Sequence, residues 1–185
     1  MPENMSVLQK ERYTYAPKLP TGIAGSLADI KIRFGAPTES VDDRAELKNM
    51  FPNTYGLPIA SFEAGKGDAP AAPLTVGVIL SGGQAPGGHN VIAGLFDGLK
   101  KVNSNSKLIG FLGGPSGILD NKYIEITDGY LADFRNTGGF DIIGSGRTKL
   151  ESEDQFDTCA EVMGKLGVQA LVVIGGDDSN TNACL

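Results

Sequence analysis

The stretch VVIGGDDSNTNA, residues 172–183, is the segment of this chain that decides its fold. An apolar run ends there in two glycines and two adjacent acids, and a serine, an asparagine and a threonine follow, which are residue types suited to the start of a helix. This order predicts a buried strand with Asp177 and Asp178 just beyond its carboxyl end. Open α/β sheets bind their ligands at that edge, so the stretch predicts a fold and the position of a site together.

From Leu74 onward, short apolar segments alternate with segments in which apolar residues recur at helical spacing. Strands are predicted at 74–80, 107–112, 140–143 and 169–174, helices at 89–102, 128–136 and 153–166, and a loop at 113–117. The last of these helices is expected to begin at a capping box of Ser152 and Gln155 and to end at Gly167. Strands that alternate with helices predict right-handed crossovers and a parallel sheet with helices on both faces.

Residues 1 to about 66 lack this rhythm, because prolines at positions 17, 20, 37, 52 and 58 interrupt every helical pattern. Six aromatic residues argue against full disorder, so we interpret the segment as an irregular extension that packs as a peripheral layer. Residues 65–73, GKGDAPAAP, are typical of a linker. The predicted division is therefore an extension and linker at 1–73 and a sheet-forming domain at 74–185. Since the chain ends inside a predicted helix, the fold is expected to continue beyond Leu185.

Composition narrows the functional classes. The formal net charge of -6 argues against a general nucleic-acid binder, which needs a basic surface. It leaves room for a small anionic ligand, because local N–H groups and a metal ion can outweigh the overall charge. The sequence has no apolar run near the roughly 18 residues of a membrane span and no apolar core of a secretory signal. Cys159 and Cys184 lack metal-ligand spacing and are interpreted as reduced structural residues of a cytosolic protein.

The glycine-rich turn SGGQAPGG, residues 81–88, follows the first predicted strand of the domain. Such a turn lets backbone N–H groups approach an anion at a helix N-terminus. It is not a phosphate-binding loop of the Walker A type, since His89 and Asn90 stand where Lys and Ser or Thr are required, and it does not fit G-x-G-x-x-G. A tight turn without a ligand remains the alternative. His89, the single histidine, is interpreted as a surface or packing residue rather than a base.

Two further segments carry charge suited to a phosphorylated ligand. In GSGRTKL, residues 144–150, Arg147 offers a planar fork for phosphate and Lys149 a point charge, although solvated basic residues are common in loops. One carboxylate at a strand end, together with phosphate oxygens and water, is the usual way in which Mg2+ is held. A simple helix cap is the alternative for the two acids and Ser179.

Taken together, SGGQAPGGHN, GSGRTKLES and LVVIGGDDSNTNA closely resemble the phosphofructokinase family, from about Leu74 to the last residue. Within it they are similar to the long-chain pyrophosphate-dependent subgroup, whose N-terminal extension is similar to the proline-rich segment of this chain. The resemblance implies a Rossmann-like three-layer α/β domain with a parallel sheet. It implies that Gly82 contacts the phosphoryl donor through its N–H, beside Gly83, and that Arg147 binds the donor phosphates. Lys149 and Ser179 are weaker candidates for pyrophosphate binding.

The resemblance also gives the two acids different roles. Asp177 matches the Mg2+ ligand, and Asp178 falls where ATP-using members carry glycine, so that its side chain and charge exclude the nucleotide. Gln84 departs from the GGDAPG pattern of the ATP-dependent type and agrees with the long pyrophosphate type. The presence of both acids favours a catalytic over a regulatory subunit.

The implied reaction is reversible transfer of phosphate from pyrophosphate to the 1-hydroxyl of fructose 6-phosphate. In this family the general base lies in a Thr-Ile-Asp motif downstream of the GGDDS loop, and no such motif occurs in this sequence. We therefore expect these residues to hold part of the donor half of a site and to be inactive alone, within a homo-oligomer or a hetero-oligomer with a related subunit. Three alternatives remain: an ATP-dependent phosphofructokinase, a non-catalytic regulatory subunit, and an unrelated flavodoxin-like or other nucleotide-binding module.

Overall fold

The computed structural model of the protein describes residues 5–26, 29–67 and 72–185. These residues form two compact units. The first contains the described residues of 1–16 and 71–182, and the second those of 17–70 and 183–185.

The helices and strands are, in chain order, α1 (Val7–Thr14), β1 (Ile30–Pro37), α2 (Arg44–Met50), β2 (Pro58–Ala64), β3 (Thr75–Ser81), α3 (Gly88–Val102), β4 (Lys107–Phe111), α4 (Pro115–Leu119), β5 (Tyr123–Ile126), α5 (Asp128–Ala132), β6 (Ser145–Gly146), α6 (Glu153–Leu166), β7 (Ala170–Ile174) and α7 (Asp177–Cys184). A short 3-10 helix, Thr21–Ile23, precedes β1. Among the helices of the described residues, none has the combination of length and apolar character needed to cross a bilayer.

The first unit is built on a five-stranded sheet whose central strand is β3. β4 and β7 pair with β3 in parallel, and so does β6, which meets only Leu80 and Ser81 at the end of β3. β5 lies antiparallel to β4 at the edge of the sheet. The predicted α/β fold is confirmed, but the prediction of a wholly parallel sheet is wrong. The connection at 112–122 is short for a parallel crossover and instead returns the chain antiparallel along β4.

Helices cover both faces of this sheet, as the alternation of strands and helices predicts. Successive residues of a strand point to opposite faces, so Val78 and Leu80 join one buried cluster with α3 and α5, while Ile79 joins a second with α4 and α6. Each fully buried apolar side chain of this kind contributes roughly 1.5–3 kcal/mol relative to an exposed one. The two clusters fix the strands, so the loops at the carboxyl edge of β3 and β7 start from a rigid base.

The structure corrects two predictions in the middle of the domain. The predicted loop at 113–117 contains the start of α4, with Pro115 in its first turn, where proline needs no N–H partner. The predicted strand at 140–143 is a buried loop, and the short strand β6 follows it. Phe140 and Ile142 are 6% and 3% exposed, so the apolar run reflects burial rather than strand pairing.

The N-terminal segment is not irregular, contrary to the prediction. α1 begins with a capping box in which the side chains and N–H groups of Ser6 and Gln9 bond each other at 3.0 and 3.2 Å. In the second unit, β1 and β2 pair antiparallel. Pro37 ends β1 and Pro58 begins β2, so these prolines delimit strands instead of preventing them. Part of the predicted linker, residues 68–71, lies outside the described residues.

Candidate active site

Three loops at the carboxyl edge of the sheet line one cleft of about 740 Å3 within the first unit. One loop follows β3, one follows β6, and one leads from β7 into α7. The predicted site residues that line the cleft are Gly82, Gly83, Arg147, Asp177, Asp178 and Ser179. Lys149 lies in an adjoining smaller cavity, which Arg147, Asp178 and Ser179 also line. Parallel pairing explains this meeting, because it brings the ends of β3, β6 and β7 to the same edge.

Gly82 turns the chain out of β3 with a φ of +92°, a conformation that favours glycine. Its N–H donates to the carbonyl oxygen of Gly146 at 2.7 Å. In this structure the N–H that the resemblance assigns to the phosphoryl donor is therefore already satisfied. The N–H of Gly83 has no hydrogen-bond partner among the described residues, which makes it the backbone donor that this turn offers to a ligand.

Arg147 lies directly against Gly83. A Cβ atom built on Gly83 would stand 2.8 Å from Arg147 Nη2, so the missing side chain leaves room for the guanidinium in its present position. Within the part of the chain that the structure describes, this guanidinium makes no ion pair or hydrogen bond. Its donors are free to hold an anion in the cleft in the bidentate manner that arginine favours.

The start of α7 also lines the cleft, through Asp177, Asp178 and Ser179. The first N–H groups of a helix have no partner within the helix, and together with the helix dipole they attract negative charge. The hydroxyl of Ser179 donates to Ser81 Oγ at 2.8 Å, which ties this helix to the end of β3. Gly175 allows the contact, because a Cβ there would lie 2.5 Å from the side chain of Ser179. These contacts fix N–H groups beside the turn that carries Gly83.

Asp178 faces Lys149 across the mouth of the cleft. Lys149 Nζ lies 3.6 Å from Asp178 Oδ2, with side chains that are 53% and 86% exposed. A pair this exposed contributes at most about 1 kcal/mol to stability. Its effect is local, since the ammonium group offsets part of the negative charge that Asp178 brings to an anion-binding cleft.

The carboxylates of the cleft fit a magnesium ion that is bound mainly by substrate phosphates and water. No group of three or more His, Cys, Asp or Glu side chains suited to a metal occurs in the described residues. Mg2+ does not need one, because it is usually bound by one or two carboxylates together with substrate phosphates and water. The carboxylate of Asp177 lines the cleft and makes no hydrogen bond or ion pair within the described part of the chain. It is therefore available as such a ligand.

Sequence reasoning missed two residues that connect the loops, Ser81 and Asn182. Asn182 Oδ1 accepts the N–H of Leu150 at 3.0 Å, and Asn182 Nδ2 donates to the Leu150 carbonyl at 2.8 Å. Both partners are 32 residues away along the chain, so local patterns cannot show the contact. The one available signal is an asparagine within a helix, where it is less favourable than alanine.

His89 supports the fold, in agreement with its interpretation as a packing residue. It is 3% exposed, and its Nδ1 lies 2.5 Å from Thr137 Oγ1. Nε2 accepts the N–H groups of Asp141 and Ile142 at 3.0 and 3.1 Å. The imidazole thus satisfies the backbone of the buried loop at 140–143 and does not line the cleft.

Comparison with known proteins gives consistent matches. A family model described as phosphofructokinase matches residues 75–184. A protein of Porphyromonas gingivalis, named pyrophosphate–fructose 6-phosphate 1-phosphotransferase, is 53% identical over 180 residues, which cover 97% of this chain and 32% of that protein. A protein of the same name from Treponema pallidum (strain Nichols) is 51% identical over 191 residues, covering 98% and 33%. The chain thus spans about a third of the length of these curated relatives.

Among solved structures, a pyrophosphate-dependent phosphofructokinase from Marinobacter aquaeolei matches with a TM-score of 0.50. The match has 22% sequence identity and covers 60% of this chain and 28% of that chain. At this identity the likeness supports the fold alone.

Proposed function

We propose, from the premise that this chain belongs to the phosphofructokinase family, that it forms the donor half of a pyrophosphate-dependent phosphotransferase site. The reaction is reversible transfer of a phosphoryl group from pyrophosphate to the 1-hydroxyl of fructose 6-phosphate. Both curated relatives described above carry the name of this reaction. Family membership removes the alternative of an unrelated nucleotide-binding module.

The observation that carries the proposal is Asp178 at the mouth of a cleft otherwise suited to phosphate. Its carboxylate lines the same cleft as Arg147 and Gly83, where an unneeded negative charge would weaken the binding of any anion. A side chain at this position occupies space and adds charge where a nucleotide would continue beyond its terminal phosphates. Pyrophosphate has no such extension, so it avoids this cost.

In the proposed mechanism these residues position the donor and balance its charge. Arg147 holds phosphate oxygens with two parallel hydrogen bonds, while the N–H of Gly83 and those at the start of α7 donate to the remaining oxygens. Phosphoryl transfer depends largely on such positioning and electrostatic stabilisation. When bound, Mg2+ would supply further neutralisation of phosphate charge, with Asp177 as its protein ligand. The base that takes the hydroxyl proton is assigned to no residue of this chain, so we expect the chain alone to give no turnover.

Two alternatives within the family remain open to experiment. An ATP-dependent enzyme is disfavoured by Asp178, and a regulatory subunit is disfavoured because Asp177, Arg147 and Gly83 are all suitably placed for a donor. Whether the full-length protein forms a homo-oligomer or pairs with a related subunit stays a prediction.

The deciding experiment is a donor assay with the full-length protein that contains this chain. Formation of fructose 1,6-bisphosphate is measured with Mg2+ and either pyrophosphate or ATP as the only donor, and phosphate-dependent reversal is measured separately. We expect activity with pyrophosphate in both directions and none with ATP. Activity with ATP alone would reject the proposal, and no activity with either donor would favour a regulatory subunit.

A further inference from the structure

We infer that Asn182 is a positioning residue of the donor site, acting through the loop that carries Arg147; this inference rests on the proposed function. Asn182 lies on α7 and lines the smaller adjoining cavity, not the main cleft. Its amide instead forms two hydrogen bonds with the backbone of Leu150, at 3.0 and 2.8 Å. The pair of bonds fixes both the distance and the orientation of that backbone, as one rung of a strand ladder would.

The loop from Arg147 to Lys149 is anchored at both of its ends. At its start, β6 pairs with β3, and the Gly146 carbonyl accepts the N–H of Gly82. At its end, the Leu150 side chain packs against the second buried cluster, and its backbone is bound by Asn182. Without the second anchor, the three residues between would be held from one side only.

α7 connects the end of β3 with the loop that follows β6, because it forms hydrogen bonds with both. Ser179 and Asn182 are three residues apart, and residues at that spacing share one face of a helix. Ser179 binds Ser81 at the end of β3, while Asn182 binds the loop after β6. The same helix carries Asp177 and Asp178 in its first turn, so Asn182 fixes Arg147 and Lys149 relative to both acids.

The two hydrogen bonds to Leu150 offset the helix-propensity cost of asparagine at position 182. Asparagine is less favourable than alanine inside a helix, because its side chain competes for backbone hydrogen bonds. Here the amide satisfies one donor and one acceptor of a half-buried backbone segment. Alanine would favour the helix, but it would leave the N–H and the carbonyl of Leu150 without a protein partner.

The test compares Asn182→Ala with Asn180→Ala in the full-length enzyme. Asn180 is an exposed asparagine on the same helix, and within the described residues its side chain makes no hydrogen bond; only its backbone N–H does, to the Gly176 carbonyl. Displacing a positioning group by about 1 Å can cost up to a hundredfold in activity, so we expect Asn182→Ala to lower kcat/KM for pyrophosphate roughly 10- to 100-fold. The KM for fructose 6-phosphate should stay near that of Asn180→Ala.

A double-mutant cycle with Arg147→Ala separates positioning from general support of the fold. If Asn182 acts through Arg147, adding Asn182→Ala to Arg147→Ala should cause little further loss, since contributions that share one group are not additive. Unchanged pyrophosphate kinetics in Asn182→Ala, an equal change in both substrates' KM, or full additivity with Arg147→Ala would each overturn the inference.

Two outcomes need a second measurement. If Asn182→Ala does not fold, the neutral Asn182→Ser, whose shorter side chain cannot make both bonds to Leu150, replaces it, and a change specific to pyrophosphate KM should persist in it; its absence would overturn the inference. If the unmodified enzyme does not use pyrophosphate, the proposed function fails. The inference is then judged by calorimetric titration of inorganic pyrophosphate with Mg2+, in which Asn182→Ala should bind more weakly than Asn180→Ala.

Discussion

At the scale of single residues, Asp178 combines bulk and charge, and substitution can separate the two. In the full-length enzyme, Asp178→Gly removes both and should allow a measurable rate with ATP, at a cost of about 1 kcal/mol in stability for a glycine in a helix. Asp178→Asn keeps the volume and removes the charge. Steady-state rates with ATP and pyrophosphate distinguish the causes: a rate with ATP in both variants identifies charge, and a rate only in Asp178→Gly identifies bulk. If neither variant uses ATP, the exclusion of nucleotide lies elsewhere.

Gly83 provides a second residue-scale prediction, because it leaves the space that Arg147 occupies. Alanine at this position places a methyl group 2.8 Å from Arg147 Nη2, and the flexible end of the arginine side chain can move aside. We expect Gly83→Ala to change the free energy of unfolding by less than about 0.5 kcal/mol and to raise KM for pyrophosphate roughly tenfold.

Gly164→Ala is the matched control for this prediction. Gly164 lies in α6, and a Cβ there would meet nothing within 4 Å. Equal KM values for pyrophosphate in the two variants, measured in the full-length enzyme, would contradict the place assigned to Arg147.

The residues that the sequence identified are those with strong chemical character next to strand ends. Asp177, Asp178 and Arg147 are recognisable in this way, and the structure brings them to one cleft. Ser81 and Asn182 were not predicted, since their partners are 98 and 32 residues away. The hydrogen bond from the Gly82 N–H to the Gly146 carbonyl could not be predicted from the sequence either, because it depends on the pairing of β6 with β3.

At the scale of elements, two of the three glycines of α3 should respond in opposite ways to the same substitution. A methyl group on Gly88 would collide with the ring of Phe140, so Gly88→Ala should destabilise the fold by about 1–3 kcal/mol. A Cβ on Gly94 would meet nothing within 4 Å, and Gly94→Ala should stabilise it by about 0.5–1 kcal/mol, because alanine restricts the unfolded chain and favours the helix. Urea denaturation of the chain measures both, and midpoints that move in the same direction would contradict the packing described for Gly88.

Elements with a local signature were predicted well, and those defined by tertiary contacts were not. The capping residue Gln155 accepts the N–H of Ser152 at 3.2 Å, and α6 ends at Gly167 with a φ of +65°, as the sequence indicates. The apolar residues of the run at 140–143 are buried, and the N–H groups of Asp141 and Ile142 bond His89 instead of a neighbouring strand. An apolar sequence pattern indicates that a segment is buried, but it does not identify the groups to which the backbone of that segment hydrogen-bonds.

At the scale of the whole molecule, sequence patterns again show which residues are buried but not which strands pair. The layered fold was therefore predictable, whereas the pairing within its sheet was predicted only in part. Alternating strands and helices require helices on both faces, and the two buried clusters match that arrangement. The direction of β5 depends on how the chain between β4 and β5 returns, and nothing in its four residues specifies a parallel or antiparallel neighbour. Pairing direction is therefore a property of the assembled domain.

Cooperative stability of the first unit can be measured through Cys159, which packs in the second cluster with Ile79 and Phe111. Burial raises the pKa of the Cys159 thiol, so little of the reactive thiolate forms at pH 8. The buried side chain is also shielded from a reagent in the folded state. In Cys184→Ser, which leaves one thiol, the rate of modification by a disulfide reagent should be far below that of the urea-unfolded chain. Increasing urea should raise the rate in parallel with unfolding followed by circular dichroism, because reaction then requires the cluster to open. Reaction of Cys159 in buffer as fast as in the unfolded chain would contradict the burial of Cys159 in the second cluster.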